Sequence, residues 1–176
     1  MLKLFLKISL IGAFFLVTAC NQYYSDQHIE IKEDGLIYKV GQSLPFTGRV
    51  IDTLENNVLE YDVINGLKSG EFRVSSVEGI TSVYGFIKDN LNDGKWKYFY
   101  ANGQVESTGS FQDDSPEGKW SWYYSNGNIK ETGTYFEGKK TGRWFNYNEE
   151  GILTKMTYYN SDELVNELKY QLSISI

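Results

Sequence analysis

Gly94-Lys95-Trp96-Lys97-Tyr98-Phe99-Tyr100-Ala101-Asn102-Gly103-Gln104-Val105 is the stretch that decides the fold, because its pattern returns twice. Gly118-Lys119-Trp120 and Gly142-Arg143-Trp144 repeat its opening at a spacing of 24 residues. A fixed period of this size marks a repeat architecture, in which each unit borrows its core from its neighbours. The agreement continues down the columns. Gly103, Gly127 and Gly151 share one position, preceded by Asn102, Asn126 and Glu150. Asn-Gly between aromatic or β-branched runs predicts a two-residue type I′ hairpin turn, since both central residues need positive φ. Val105, Ile129 and Leu153 follow as an apolar column. Gly109 and Gly133 come next, with Thr157 in their place in the third unit, and Phe111, Tyr135 and Tyr159 close the pattern. Each unit reads as strand, turn, strand and a polar connector.

Weaker copies extend the array towards the N-terminus. Gly70-Glu71-Phe72 lies one period upstream, with Glu78-Gly79 at the turn and Gly85 at the second-strand glycine. Thr47-Gly48-Arg49 looks like another unit start, its turn carried by Asn56-Asn57. Residues 45–160 therefore hold about five units. Ile29-Glu30-Ile31 and Leu36-Ile37-Tyr38, split by Glu33-Asp34-Gly35, predict a leading hairpin or cap over residues 28–44. Residues 161–176 leave the pattern. Glu163, Leu164, Leu168 and Leu172 permit a short helix, but the alternation of Tyr170, Leu172, Ile174 and Ile176 favours a cap strand. A covering strand suits an open sheet end, which otherwise invites aggregation.

The aromatic columns raise a question of faces. Trp96, Trp120 and Trp144 stand three residues before Phe99, Tyr123 and Tyr147. An odd offset puts the two columns on opposite faces of a flat strand unless a bulge intervenes. Stacked aromatics first serve the shared core of such an array. Tyr98, Tyr100, Trp122 and Tyr124 are extra to that need and form a candidate ligand-facing stripe.

The pattern G-[KR]-W-x-x-[FY]-x-x-[NE]-G-x-[VIL], followed by a G-x-[FY] return strand, resembles MORN-type repeats, in particular the bacterial MORN-repeat variant. The resemblance covers residues 45–170. It implies an all-β fold: an elongated, twisted antiparallel sheet of stacked β-hairpins. Pro45-Phe46-Thr47-Gly48-Arg49-Val50 also resembles the opening of an antitoxin-like bacterial repeat family, which implies a neutralising role.

The N-terminus speaks to location. Lys3 and Lys7 precede a mostly apolar run from Ile8 to Val17, which is signal-peptide length rather than membrane-span length. It ends in Val17-Thr18-Ala19-Cys20, and Cys20 is the chain's only cysteine. Residues 1–19 resemble a bacterial lipoprotein signal, whose cleavage leaves Cys20 as the acylated N-terminus and residues 20–27 as a tether. An ordinary secretory signal with a stray cysteine, or an uncut anchor, are the competing readings. Asn21 rather than aspartate follows the cysteine, which in enteric-type sorting favours the outer membrane.

The formal net charge is −6, and removal of Lys3 and Lys7 takes it to −8. Lys119, Lys130, Lys139, Lys140 and Arg143 are interleaved with Glu117, Glu131 and Glu137, a mixed solvated surface rather than a basic patch. Nucleic acid is not an expected partner. His28 is the only histidine, so nucleophile–histidine catalysis and a zinc site both lack residues. Asp113-Asp114 and Glu149-Glu150 fall at connectors and turns, where acids serve solubility. The Asp89–Gly94 segment lacks the distal glutamate of a calcium loop and reads as an Asn/Asp-rich turn. The expectation is thus no catalytic residue, metal or cofactor. It is a lipid-anchored envelope module that binds a protein or glycan through its sheet. An antitoxin or immunity-type protein is the first alternative and a carboxylate-dependent envelope hydrolase the second.

Overall fold

The computed structural model describes residues 29–170. The signal and tether, Cys20, His28, Leu172, Ile174 and Ile176 lie outside the described residues. Everything described is strand or turn. β1 (Ile29–Ile31) and β2 (Ile37–Lys39) form a small hairpin. An antiparallel meander follows: β3 (Gly48–Leu54), β4 (Asn57–Ile64), β5 (Leu67–Ser76), β6 (Thr81–Lys88), a two-residue β7 (Leu91–Asn92) and β8 (Gly94–Phe99). It continues through β9 (Val105–Gln112), β10 (Ser115–Tyr123), β11 (Ile129–Phe136), β12 (Lys139–Tyr147), β13 (Leu153–Asn160) and β14 (Glu163–Lys169). These make one 12-stranded sheet in chain order from β3 to β14, with β7 set aside on β6.

The two kinds of turn stand in the opposite places to those expected. Asn102-Gly103 is not a two-residue type I′ turn. The Gly103 amide donates to Tyr100 O and the Tyr100 amide to Gln104 O, while neither Ala101 nor Asn102 has positive φ. This is a three-residue loop closed by a glycine at φ 82°, and Gly79, Gly127 and Gly151 repeat it. The two-residue turns with φ positive at both positions occupy the connectors instead: Asn65-Gly66, Asp89-Asn90, Asp113-Asp114, Glu137-Gly138 and Ser161-Asp162. Short Asn and Asp side chains tolerate this geometry, so the acidic connectors are turn chemistry. The first hairpin turns at Glu55-Asn56, one residue before the expected Asn56-Asn57.

The core lies on one face of the sheet. Trp96, Trp120 and Trp144 are fully buried although no second layer covers them. Each indole lies flat against a glycine of the preceding strand: Trp96 on Gly85, Trp120 on Gly109 and Trp144 on Gly133. A Cβ at any of these glycines would fall inside the ring. Thr157 carries a side chain in the same column because no tryptophan follows it. Phe111 and Tyr135 fill the spaces edge-on, with Phe111–Trp120 and Tyr135–Trp144 centroids both 5.1 Å apart. Indole Nε1 groups donate to Phe86 O and Ser110 O, so no polar atom is lost in the stack.

Register shifts resolve the odd aromatic offset. They fall between Tyr98 and Phe99, Trp122 and Tyr123, and Asn146 and Tyr147, once per hairpin. At the N-terminal end the β1–β2 hairpin docks through Ile37 N–Gly66 O and Gly66 N–Phe46 O bonds, burying Ile37 and Phe46. At the other end β14 pairs with β13, covering its edge, and is itself the last strand of the sheet. All its residues are exposed, and the strand runs Glu163–Lys169, with no helix. A bulge at Tyr158/Tyr159 and the charges of Glu163, Glu167 and Lys169 blunt that edge.

Candidate functional site

The four extra aromatics divide into two pairs. Tyr98 is 5% exposed and Trp122 8%, so these two belong to the core and not to a ligand-facing stripe. Their place next to the tryptophan column explains it: Trp96 stacks on Tyr98 and Trp120 on Trp122, at 6.3 and 5.7 Å. Tyr100 and Tyr124 are half-buried at the glycine-turn end of the sheet, and their hydroxyls are engaged. Tyr100 Oη donates to Tyr123 O at 2.6 Å and Tyr124 Oη to Tyr147 O at 2.8 Å, each reaching into the next hairpin. Asn102 and Asn126 add parallel bonds to Ser125 O and Glu149 O. The opposite end is stapled by the tight turns, where Asp114 Oδ1 accepts from Asn92 N and Asp162 Oδ1 from Lys140 N. The repeat glycines and tryptophans, from Gly94 and Trp96 to Trp144 and Gly151, are scaffold.

The core face changes character after Trp122. Val74, Tyr98 and Trp122 occupy one column along the sheet, and Asn146 comes next in it. The neighbouring column runs Val83, Ser107, Glu131, Lys155, and Asn146 and Lys155 are cross-strand partners. Where the stack loses its apolar filling, a groove of about 500 Å³ opens on the last two hairpins. Tyr124, Tyr147 and Tyr170 line it together with Lys130, Lys155 and Lys169. Lys130 Nζ lies 5.5 Å from the Tyr124 ring centre and makes no ion pair among the described residues. Lys155 and Lys169 share one carboxylate, Glu167, at 3.6 and 3.2 Å. The Lys169 hydrogen bond is the main cause holding Glu167 below the usual carboxylate range. Glu131, beside the groove, is committed to Lys140 at 3.2 Å.

The reverse face carries Lys95, Lys97, Lys119 and Arg143, all exposed, paired across strands with Ser110, Thr108, Thr134 and Tyr158. Glu117 stands in the same row, opposite Ser110, while Glu131 and its partner Lys140 stand on the other face. Among the described residues no group of three His, Cys, Asp or Glu side chains could hold a metal ion, and no helix is long and apolar enough to cross a membrane. Asp113 and Asp114 are spent in a tight turn.

The profile of the family described as MORN repeat variant matches residues 92–113 and 116–137, two adjacent repeats. No curated protein matches the chain. Among solved structures, the crystal structure of TarM is similar at 16% identity and a TM-score of 0.38, over 66% of this chain and 21% of that one. An S. aureus TarM mutant in complex with Fondaparinux, alpha-GlcNAc-glycerol and UDP is similar at 14% identity and a TM-score of 0.33. That likeness covers 70% of this chain and again 21% of the other. Likeness at this level carries no functional argument. Two of the hairpins are thus similar to the MORN repeat variant, a repeat type that suggests a binding or scaffold module.

Proposed function

We propose that this chain is a lipid-anchored protein of the bacterial cell envelope, in the outer membrane where there is one. It acts there as a non-catalytic binding or scaffold module. The observation that carries the binding role is the single-layer repeat sheet. Its aromatic stack satisfies itself on one face, leaving the reverse face and the groove open to a protein or glycan. The anchor rests on Lys3, Lys7, the apolar run and Cys20. Acyl chains on Cys20 would hold the module at a membrane, with residues 20–27 giving it reach.

Two experiments test this. Wild-type chain fractionates with membranes and Cys20→Ser does not; a Cys20→Ser chain that stays membrane-bound overturns the anchor. Cross-linking in intact envelopes captures a stoichiometric partner; finding none, while purified chain turns over a glycan, overturns the binding role in favour of a hydrolase. An antitoxin or immunity-type role is favoured only by the Pro45–Val50 opening, and a captured toxin decides for it.

A further inference from the structure

We infer that the groove between Tyr124 and Tyr170 binds a sugar ring bearing one anionic group, a carboxylate or a phosphate. This deepens the binding reading proposed above and rests on it. Three observations converge. The groove sits where the repeat departs from its own rule, with Asn146 in the column that holds Val74, Tyr98 and Trp122 in earlier units. Asn146 and Lys155 are only part-buried there, so their polar groups face the opening rather than a packed core. The groove's volume is about 500 Å³, and it lies open to solvent along the sheet.

Its chemistry is the second point. Among the described residues three ammonium groups, on Lys130, Lys155 and Lys169, meet one carboxylate, Glu167, so the described lining keeps an excess of positive charge in a chain of net charge −6. That excess complements a single anion. The third point is the walls. Tyrosine offers an apolar ring with a polar tip, which suits the apolar faces and hydroxyl rim of a sugar. The Asn146 and Thr154 side chains add short polar groups between the rings, although Thr154 Oγ1 already donates to Asn146 O at 3.0 Å.

The test titrates the full-length chain in detergent with sodium glucuronate, glucose 6-phosphate, glucose and inorganic phosphate, followed by saturation-transfer NMR and calorimetry. At least one of glucuronate and glucose 6-phosphate saturates the chain, and glucose and phosphate alone bind about tenfold more weakly or worse. Whichever acidic sugar binds tighter identifies the anionic group. Lys130→Ala and Lys169→Ala each weaken binding about tenfold, the cost of one charged contact. Lys95→Ala, on the reverse face, leaves binding unchanged. Glu167→Gln releases two amines and tightens binding severalfold, a gain that misfolding cannot imitate. No saturation by either acidic sugar, equal binding of phosphate alone, or indifference to Lys130→Ala and Glu167→Gln overturns the inference. The envelope cross-link is scored separately in Lys130→Ala: a partner still captured there, with no acidic sugar bound by wild type, sinks the groove and leaves the binding module standing.

Discussion

Glycine and tryptophan are one device at the scale of the residue. A single-layer sheet has no partner layer to bury an indole, so the ring is laid on the backbone that a missing side chain exposes. Gly109→Ala puts a methyl group into the Trp120 ring and is expected to cost about 1–3 kcal/mol, the usual penalty of overpacking. Urea unfolding followed by tryptophan fluorescence measures it, and an unchanged midpoint would refute the contact. The Tyr124 hydroxyl is the other test. Tyr124→Phe keeps the ring but loses the bond to Tyr147 O, which is expected to lower stability by about 1 kcal/mol. Tyr123→Phe, which removes a hydroxyl with no such bond, should melt like wild type.

Turns and bulges govern the elements. Asn-Gly and the acidic connectors both punctuate the sequence at 24-residue intervals, so the hairpins are legible without the structure. Which turn type goes where is not, because Asn-Gly suits both a type I′ turn and a glycine-closed three-residue loop. The register across the strands decides between them. Glu137 shows the consequence: it holds φ 49° in a two-residue turn with Gly138, a conformation glutamate tolerates poorly. Only its backbone amide is engaged there, donating to Glu117 Oε2. Glu137→Asn builds an Asn-Gly type I′ turn and is expected to stabilise the chain by about 0.5–1 kcal/mol. A lower melting temperature would show that the turn is held by something other than local geometry. Bulges divide the stripe. Tyr98 and Trp122 stand two residues from Trp96 and Trp120, ahead of the register shifts, so even spacing already put them on the core face, whereas Tyr100 and Tyr124 lie beyond the shifts.

At the scale of the whole molecule, stability is shared along the array through one continuous aromatic row, and tyrosines are part of it. Burial pushes Tyr61 up to about 12 and raises Tyr98 and Tyr135 as well, because a phenolate cannot be solvated in the stack. An unfolded tyrosine titrates near pH ~10. The stability these groups supply is therefore fully present below about pH 10 and is lost as pH rises from there through their folded values. Guanidinium midpoints should be level from about pH 7 to about pH 9 and fall steeply above about pH 10. The tyrosinate absorbance contributed by Tyr61, Tyr98 and Tyr135 should appear only as the fold is lost. Early titration of all the tyrosines in the folded chain would contradict the burial.

Period and hairpin count were determined by the sequence, because each depends on residues that recur along the chain at a fixed distance. The antiparallel sheet followed from them, since tight turns leave consecutive strands no other neighbour. The direction in which the aromatics beyond each bulge point, the exchange of the two turn types and the groove were decided only by the tertiary structure. The groove gathers Tyr124, Lys130, Lys155 and Tyr170 from four segments of the chain. Bulges reset the facing of side chains between those segments, and no count along the sequence carries across a bulge.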